Sequence, residues 1–148
     1  MNIPFLGNWR KKHGPGHGVA VLAADAGTRD PEGVAELLSE CELLRSLAAQ
    51  GGVRLDDTPA SLAAVDQLVP RWRDDAEVLP WLGNDAGLYL GTVIVRTVPG
   101  ASWDIRPDGQ PVVLLTSGRE FDVVEAGHEW ADSGAPELSQ LYAEVAEE

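Results

Sequence analysis

The chain has 148 residues, of which 44% are hydrophobic and 24% charged, and its formal net charge is −13. This composition predicts a globular protein with one hydrophobic core, and the acidic balance excludes nucleic acid as an expected partner because phosphate contacts need a basic surface. A lone cysteine excludes an internal disulfide, and no apolar run approaches the roughly 18 residues of a membrane-spanning helix.

The first 17 residues differ from the rest of the chain in charge. They contain three cations and no acid, so their charge is +3, whereas residues 18–148 carry eight arginines and 24 acids, a charge of −16. The cations follow the apolar residues instead of preceding them, which is not typical of a secretory signal, and we expect a cytoplasmic protein. We interpret residues 1–17 as a flexible N-terminal arm and residues 18–148 as a single acidic domain. The arm's candidate partner-binding residues are its aromatic pair and its cations, namely Phe5, Trp9, Arg10, Lys11 and Lys12.

Helical patterns dominate the first two thirds of the domain. After a short apolar run at 18–24, a possible first strand, apolar residues recur at helical spacing over 31–50 and predict one long helix, with Cys41 as an inert core residue on its apolar stripe. Thr58 and Pro59 indicate the start of a second helix. We predict a third, buried helix over residues 84–98, with Asn84 or Asp85 as its cap. Gly87 and Gly91 lie four residues apart in it, so that a neighbour could approach one face closely.

The pattern changes to a period of two after residue 101. Three short segments, SWDIRP, PVVLLT and REFDV, are separated by the turn sequences PDGQ and SG and predict an antiparallel meander. Two helices follow, the second started by Pro136. The predicted fold class is therefore α+β, with N-terminal helices, a three-stranded meander and two C-terminal helices. Four tryptophans are expected in the core, namely Trp72, Trp81, Trp103 and Trp130.

One stretch of the sequence has the spacing of a metal site. Glu125 and His128 are three residues apart in a predicted helix and share a face, and Glu129 is adjacent. Such a set could hold a single Zn²⁺ or Fe²⁺ ion. The alternative interpretation, a surface histidine among acids, is favoured, because the chain has only one such Glu-x-x-His pair. We therefore expect no cofactor and no catalytic residue, and a small metal-dependent enzyme stays open as an alternative.

The stretch WLGNDAGLYLGTVIVRTVPGASWDIRPDGQPVVLLTSGREFDVVEAG, together with MNIPFLGNW and RWRDD, resembles a family of small, uncharacterised actinobacterial proteins of the Streptomyces type. The resemblance covers nearly the whole chain. It supports the α+β fold and implies no activity, because no activity is established for that family.

These observations favour a non-catalytic interaction or regulatory protein. Its N-terminal arm would dock on protein, either on its own domain, on a second copy of the chain in a homodimer or on another protein partner. Peripheral membrane association through the same arm is the other alternative, since three cations gain energy beside an anionic surface.

Overall fold

The computed structural model describes residues 31–72 and 75–147, and the fold is α+β, as the sequence predicts. The predicted arm and the apolar run at 18–24 lie outside the described residues. The elements in chain order are α1 Pro31–Leu38, α2 Glu42–Gln50, α3 Pro59–Leu68, a 3-10 turn Val69–Arg71, α4 Leu79–Thr97, β1 Ser102–Ile105, β2 Pro111–Leu114, β3 Glu120–Phe121, α5 Val123–Ser133 and α6 Leu138–Ala146.

The helix predicted over residues 31–50 is two helices, α1 and α2. The break is at Cys41, which adopts the left-handed conformation with φ 42° and ψ 45°. The buried residues Leu38, Cys41 and Leu44 keep a helical spacing across the break, so the apolar periodicity hides it. Arg45 stabilises the break because its guanidinium donates to the carbonyl oxygens of Ser39 (2.9 Å) and Glu40 (3.1 Å).

The start of α3 is confirmed, and the start of α4 is corrected. Pro59 is the first residue of α3, although the Thr58 hydroxyl donates to the Asp56 carboxylate (2.6 Å) and does not cap the helix. Helix α4 begins at Leu79, five residues before the predicted start, because Pro80 at its first turn is compatible with a helix N-terminus. Asp85 therefore lies inside α4 and is not its cap.

Helix α4 is the centre of the fold, and α5 lies close against it. A Cβ atom at Gly87 would be 2.8 Å from the Val124 Cα atom of α5, and one at Gly127 would be 2.7 Å from the Gly87 Cα atom. The predicted close approach at Gly87 is thus a crossing of two helix backbones. At Gly91 the neighbour is different, since the Trp103 indole of β1 occupies the space that a side chain would fill.

The antiparallel meander has the order β1-β2-β3. Val113 is paired with Trp103 on one side and Phe121 on the other, so these three side chains share the inner face of the sheet. On the outer face, Arg106 reaches Glu120 (3.5 Å) and Asp122 (3.4 Å) of the far strand. Val112 of β2 is fully buried, although it does not belong to the main core.

The core confirms two of the four tryptophan predictions. Trp130 is fully buried and Trp72 nearly so, but Trp81 and Trp103 are only half-buried. Trp103 packs on Gly91 of α4 with its inner surface and keeps part of its ring exposed, because β1 lies at the edge of the sheet within the described part of the chain. Trp81 and Trp103 therefore pack against the core, but they are not buried within it as predicted.

Candidate functional site

A polar cluster joins α2, α3 and α4 around the loop that precedes α3. We call it the Arg45 cluster, and its members are Arg45, Asp57, Ser61, Tyr89 and Arg96. The Arg45 guanidinium pairs with the Asp57 carboxylate at 2.9 Å and also donates to the carbonyl oxygen of Leu55 at 3.1 Å. The other Asp57 oxygen is 3.3 Å from Arg96. The Arg45 side chain is about one-third exposed, so its pairing with Asp57 is partly screened by water.

Tyr89 forms the buried end of this cluster. Its side chain is fully buried in α4, and its hydroxyl accepts from the backbone N–H of Asp57 at 2.9 Å and shares a 2.6 Å hydrogen bond with the Ser61 hydroxyl. The Arg45 guanidinium lies 5.3 Å from the centre of the ring, within cation–π distance. These contacts hold Asp57 in the left-handed conformation, φ 62°, that turns the chain into α3.

An open groove of about 450 Å³ lies beside the cluster. Its lining residues are Arg45, Ala49, Gly52, Val53, Arg54 and Leu55. The groove is therefore formed by the end of α2 and the loop after it. All three Arg45 nitrogens donate to backbone carbonyl oxygens or to the Asp57 carboxylate. The arrangement positions the loop and does not present a row of free donors to a ligand.

The chemistry of the cluster is that of a structural hydrogen-bond network. Burial raises the pKa of Tyr89, so its phenol stays protonated and neutral at physiological pH. A neutral phenol is a weak base and does not activate the neighbouring Ser61 hydroxyl. The network therefore satisfies buried polar groups and fixes the entry to α3.

The raised pKa of Tyr89 predicts a loss of stability at alkaline pH. The unfolded phenol ionises near pH 10, whereas the folded one resists ionisation, so its contribution is complete below about pH 10 and is lost as pH rises through the folded pKa. We expect the free energy of unfolding to fall above about pH 10. Tyr89→Phe should flatten that fall and cost about 1–2 kcal/mol at neutral pH, because Ser61 and the Asp57 N–H lose their partner. Urea unfolding at pH 7 to 11 measures both effects.

Tyr142→Phe is the control variant, since the Tyr142 hydroxyl forms its hydrogen bond with Thr97 at an exposed position. An equal change in the two variants would contradict the role assigned to Tyr89.

Asp66 is a buried carboxylate that caps a distant helix. It lies in α3 with 7% of its surface exposed and accepts four hydrogen bonds. One oxygen accepts from the Trp130 indole N–H (2.8 Å) and the backbone N–H of Leu138 (2.9 Å), and the other from the Ser139 backbone N–H (3.1 Å) and hydroxyl (2.7 Å). Leu138 and Ser139 are the first residues of α6. The carboxylate thus binds the positive end of α6 and joins α3, α5 and α6.

Asp85 is a second buried carboxylate, and it binds the N-terminus of α2. Its carboxylate accepts from the backbone N–H of Leu44 at 3.1 Å, in the first turn of α2, and its side chain is almost completely buried. The Cys41 thiol lies 3.4 Å from the Asp85 carbonyl oxygen and donates to it. Burial raises the pKa of Cys41 well above its usual value, so the thiol stays protonated at neutral pH. Cys41 is therefore a core residue, as predicted, although it lies between two helices and not within one.

The predicted metal-binding residues lie on α5. Glu125 and Glu129 are exposed, whereas His128 is half-buried against Gly83, where an added Cβ atom would be 2.6 Å from the His128 Nδ1 atom. Across residues 31–72 and 75–147, no three or more His, Cys, Asp or Glu side chains are grouped so as to hold a metal ion. The histidine instead fills the space left by a glycine. The single-ion alternative at Glu125, His128 and Glu129 stays a prediction.

The predicted partner-binding residues Phe5, Trp9, Arg10, Lys11 and Lys12 fall outside the described residues, and their role stays a prediction. In the part of the chain that the structure describes, no helix is both long and apolar enough to cross a membrane.

Sequence reasoning missed the three buried side chains that bind across the fold, Asp66, Asp85 and Tyr89. A signal existed for two of them. Asp66 interrupts the apolar positions of α3 next to Val65, and Asp85 interrupts a nearly uncharged run. A carboxylate on the buried face of a helix needs donors, and helix N-termini supply them. The sequence does not identify which helix N-terminus each one binds, because the partners are 41 and 72 residues away.

The comparisons with known proteins show a family and no characterised relative. A family model described as a family of unknown function, DUF6278, matches residues 1–148. No curated protein and no solved structure matches the chain significantly.

Proposed function

For this chain, which belongs to the DUF6278 family of unknown function over its whole length, we propose a role as a non-catalytic interaction or regulatory protein of the cytoplasm. The N-terminal arm, residues 1–17, is its docking element. The proposal includes an actinobacterial origin, which the predominance of arginine over lysine supports.

The separation of charge along the chain carries this proposal. The arm has a charge of +3 and the remainder −16. The acidic excess continues in the described domain, because residues 123–147, which form α5 and α6, contain six acids and no lysine or arginine. A cationic arm is attracted to such a surface, on its own domain or on a second copy, and its aromatic residues gain further by leaving water.

The same charges favour protein over lipid as the arm's partner. Three cations contribute about 1 kcal/mol each beside an anionic membrane. Residues 18–148, with a charge of −16, would be repelled by that membrane, and this repulsion opposes the attraction of the arm's cations. An acidic protein surface offers the arm the same attraction without this penalty.

The buried polar groups of the domain support a non-catalytic role. Asp66 and Asp85 bind helix N-termini, and Tyr89 binds Ser61 and the Asp57 backbone. Each of these side chains is committed to holding another element in place. Each of these side chains is explained by its contribution to the stability of the fold, and none requires a catalytic role.

Deletion of residues 2–12 tests the proposal. We expect a lower melting temperature if the arm docks on its own domain, or a smaller mass in multi-angle light scattering if it docks across a homodimer. The matched variant R10Q/K11Q/K12Q keeps the aromatic residues and should show a weaker form of the same effect. That effect should decrease with added salt.

Two outcomes would contradict the proposal. One is that neither the melting temperature nor the mass changes on deletion, while the full chain sediments with anionic vesicles at physiological salt. The other is stoichiometric Zn or Fe in protein purified without a chelator or tag, lost in His128→Ala, which would favour the metal-dependent alternative.

A further inference from the structure

The inner side of β1 is an apolar surface that the described elements cover incompletely. Trp103 and Ile105 alternate with the exposed Ser102 and Asp104, so they point to the same face, and both are half-buried. Val95 of α4, one turn after Gly91, is half-buried as well. We call Val95, Trp103 and Ile105 the β1 face.

The partly exposed β1 face belongs to a strand at the edge of the described sheet. Among the described strands β1 pairs with β2 alone, so one of its edges is unpaired. An edge strand with a partly exposed tryptophan is a place where another segment can bind. The β1 face therefore offers an apolar surface to an occupant.

The part of the chain that precedes the described residues is joined to a helix that borders this face. Helix α1, Pro31–Leu38, packs against both α4 and β1, so Pro31 is within about one length of α1, about 12 Å, of the residues that make these contacts. Residues 18–24, GVAVLAA, contain no charged or polar side chain. Only residues 25–30 separate this run from α1, which limits its reach to about 25 Å even when the connection is fully extended. So short a connection keeps the run at a high effective concentration near the β1 face.

We propose that the apolar run 18–24 of the same chain docks on the β1 face and covers Trp103 and Ile105. Composition distinguishes this occupant from the arm, because residues 18–24 carry no charge, whereas the arm would bring three cations to a face formed by the apolar side chains of Val95, Trp103 and Ile105. The arm is then left free for the docking role proposed above. The inference does not depend on that role, because it concerns a different segment.

Hydrogen exchange by mass spectrometry on the full chain tests the inference. The variant V19S/V21S/L22S should raise the exchange rate of amides 101–106 at least tenfold. The matched variant I3S/F5S/L6S removes three large apolar residues from the arm and should leave those rates unchanged. Amides 126–131 of α5 report whether each variant is folded. In the unaltered chain, amides 18–24 should exchange at least tenfold more slowly than amides 13–17.

Each of the following outcomes would overturn the inference. Faster exchange at 101–106 in I3S/F5S/L6S alone would make the arm the occupant. Protection of 101–106 that increases with a tenfold rise in protein concentration would make a second copy the occupant. If V19S/V21S/L22S does not fold, unprotected amides 18–24 in the unaltered chain would overturn the inference by themselves. Protection of 101–106 that depends on protein concentration, or unprotected amides 18–24, would leave the proposed docking of the arm unchanged.

Discussion

Replacing Asp66 by alanine is expected to lower the free energy of unfolding by about 3–5 kcal/mol. The substitution removes the acceptor of four hydrogen bonds and leaves two buried donors, the Trp130 indole N–H and the Leu138 backbone N–H, without a partner. An unsatisfied buried donor costs about 1–3 kcal/mol, and the interaction of a carboxylate with a helix N-terminus is lost as well. Urea unfolding followed by circular dichroism measures the change.

Two variants make this prediction specific. Asp66→Asn keeps the shape but offers only one acceptor oxygen, so we expect about half the loss. Asp104→Ala removes an exposed acid from β1 and should change the free energy of unfolding by less than about 0.5 kcal/mol. A loss of under about 1 kcal/mol in Asp66→Ala would mean that Asp66 does not hold α6.

Replacing Gly87 by alanine is expected to lower the free energy of unfolding by about 2–4 kcal/mol. The new methyl group would collide with the carbonyl oxygen of Val123 and lie 2.8 Å from the Val124 Cα atom, both of which belong to the α5 backbone. A backbone atom cannot rotate away as a side chain can, so α5 must move as a whole. This cost exceeds the roughly 1 kcal/mol that alanine gains over glycine inside a helix.

The crossing of α4 and α5 supplies its own controls. Gly127→Ala should be equally damaging, and the double variant should cost less than the sum, because displacement of α5 by the first methyl group makes room for the second. Gly51→Ala should lie within about 1 kcal/mol of the unaltered chain, since its nearest neighbour is the flexible Leu68 side chain at 3.0 Å and its φ is −84°. Additive losses from Gly87 and Gly127 would contradict the shared crossing.

Local pattern was sufficient for most of the fold. Pro59, the turn at 107–110 and the alternation after residue 101 act over a few residues, and the helix and strands that they predict are present. The break at Cys41 could not be predicted in this way, because the apolar period continues through it although the backbone of Cys41 is in the left-handed conformation. The start of α4 was missed because Asn84 and Asp85 have the composition of a cap, although the helix already begins at Leu79, with Pro80 in its first turn.

The site depends on contacts that the pattern does not contain. That Asp66 and Asp85 are buried follows from their apolar neighbours, but their partners are set by how α2 and α6 pack. Trp103 shows the opposite error: it packs on Gly91 of α4, but its burial was overestimated because β1 lies at the edge of the described sheet. The Glu125 and His128 spacing is real on α5, yet Gly83 gives the histidine a packing role.

The proposed docking of the arm on protein is tested most directly by hydrogen exchange of residues 1–17 in the full chain, with and without anionic vesicles at physiological salt. Docking on protein predicts slowed exchange around Phe5 and Trp9 without vesicles, its loss as salt is raised because the arm's +3 charge is screened, and no further change when vesicles are added. Exchange at the rate of an unstructured peptide without vesicles, with protection appearing only when they are present, would contradict docking on protein and favour the membrane.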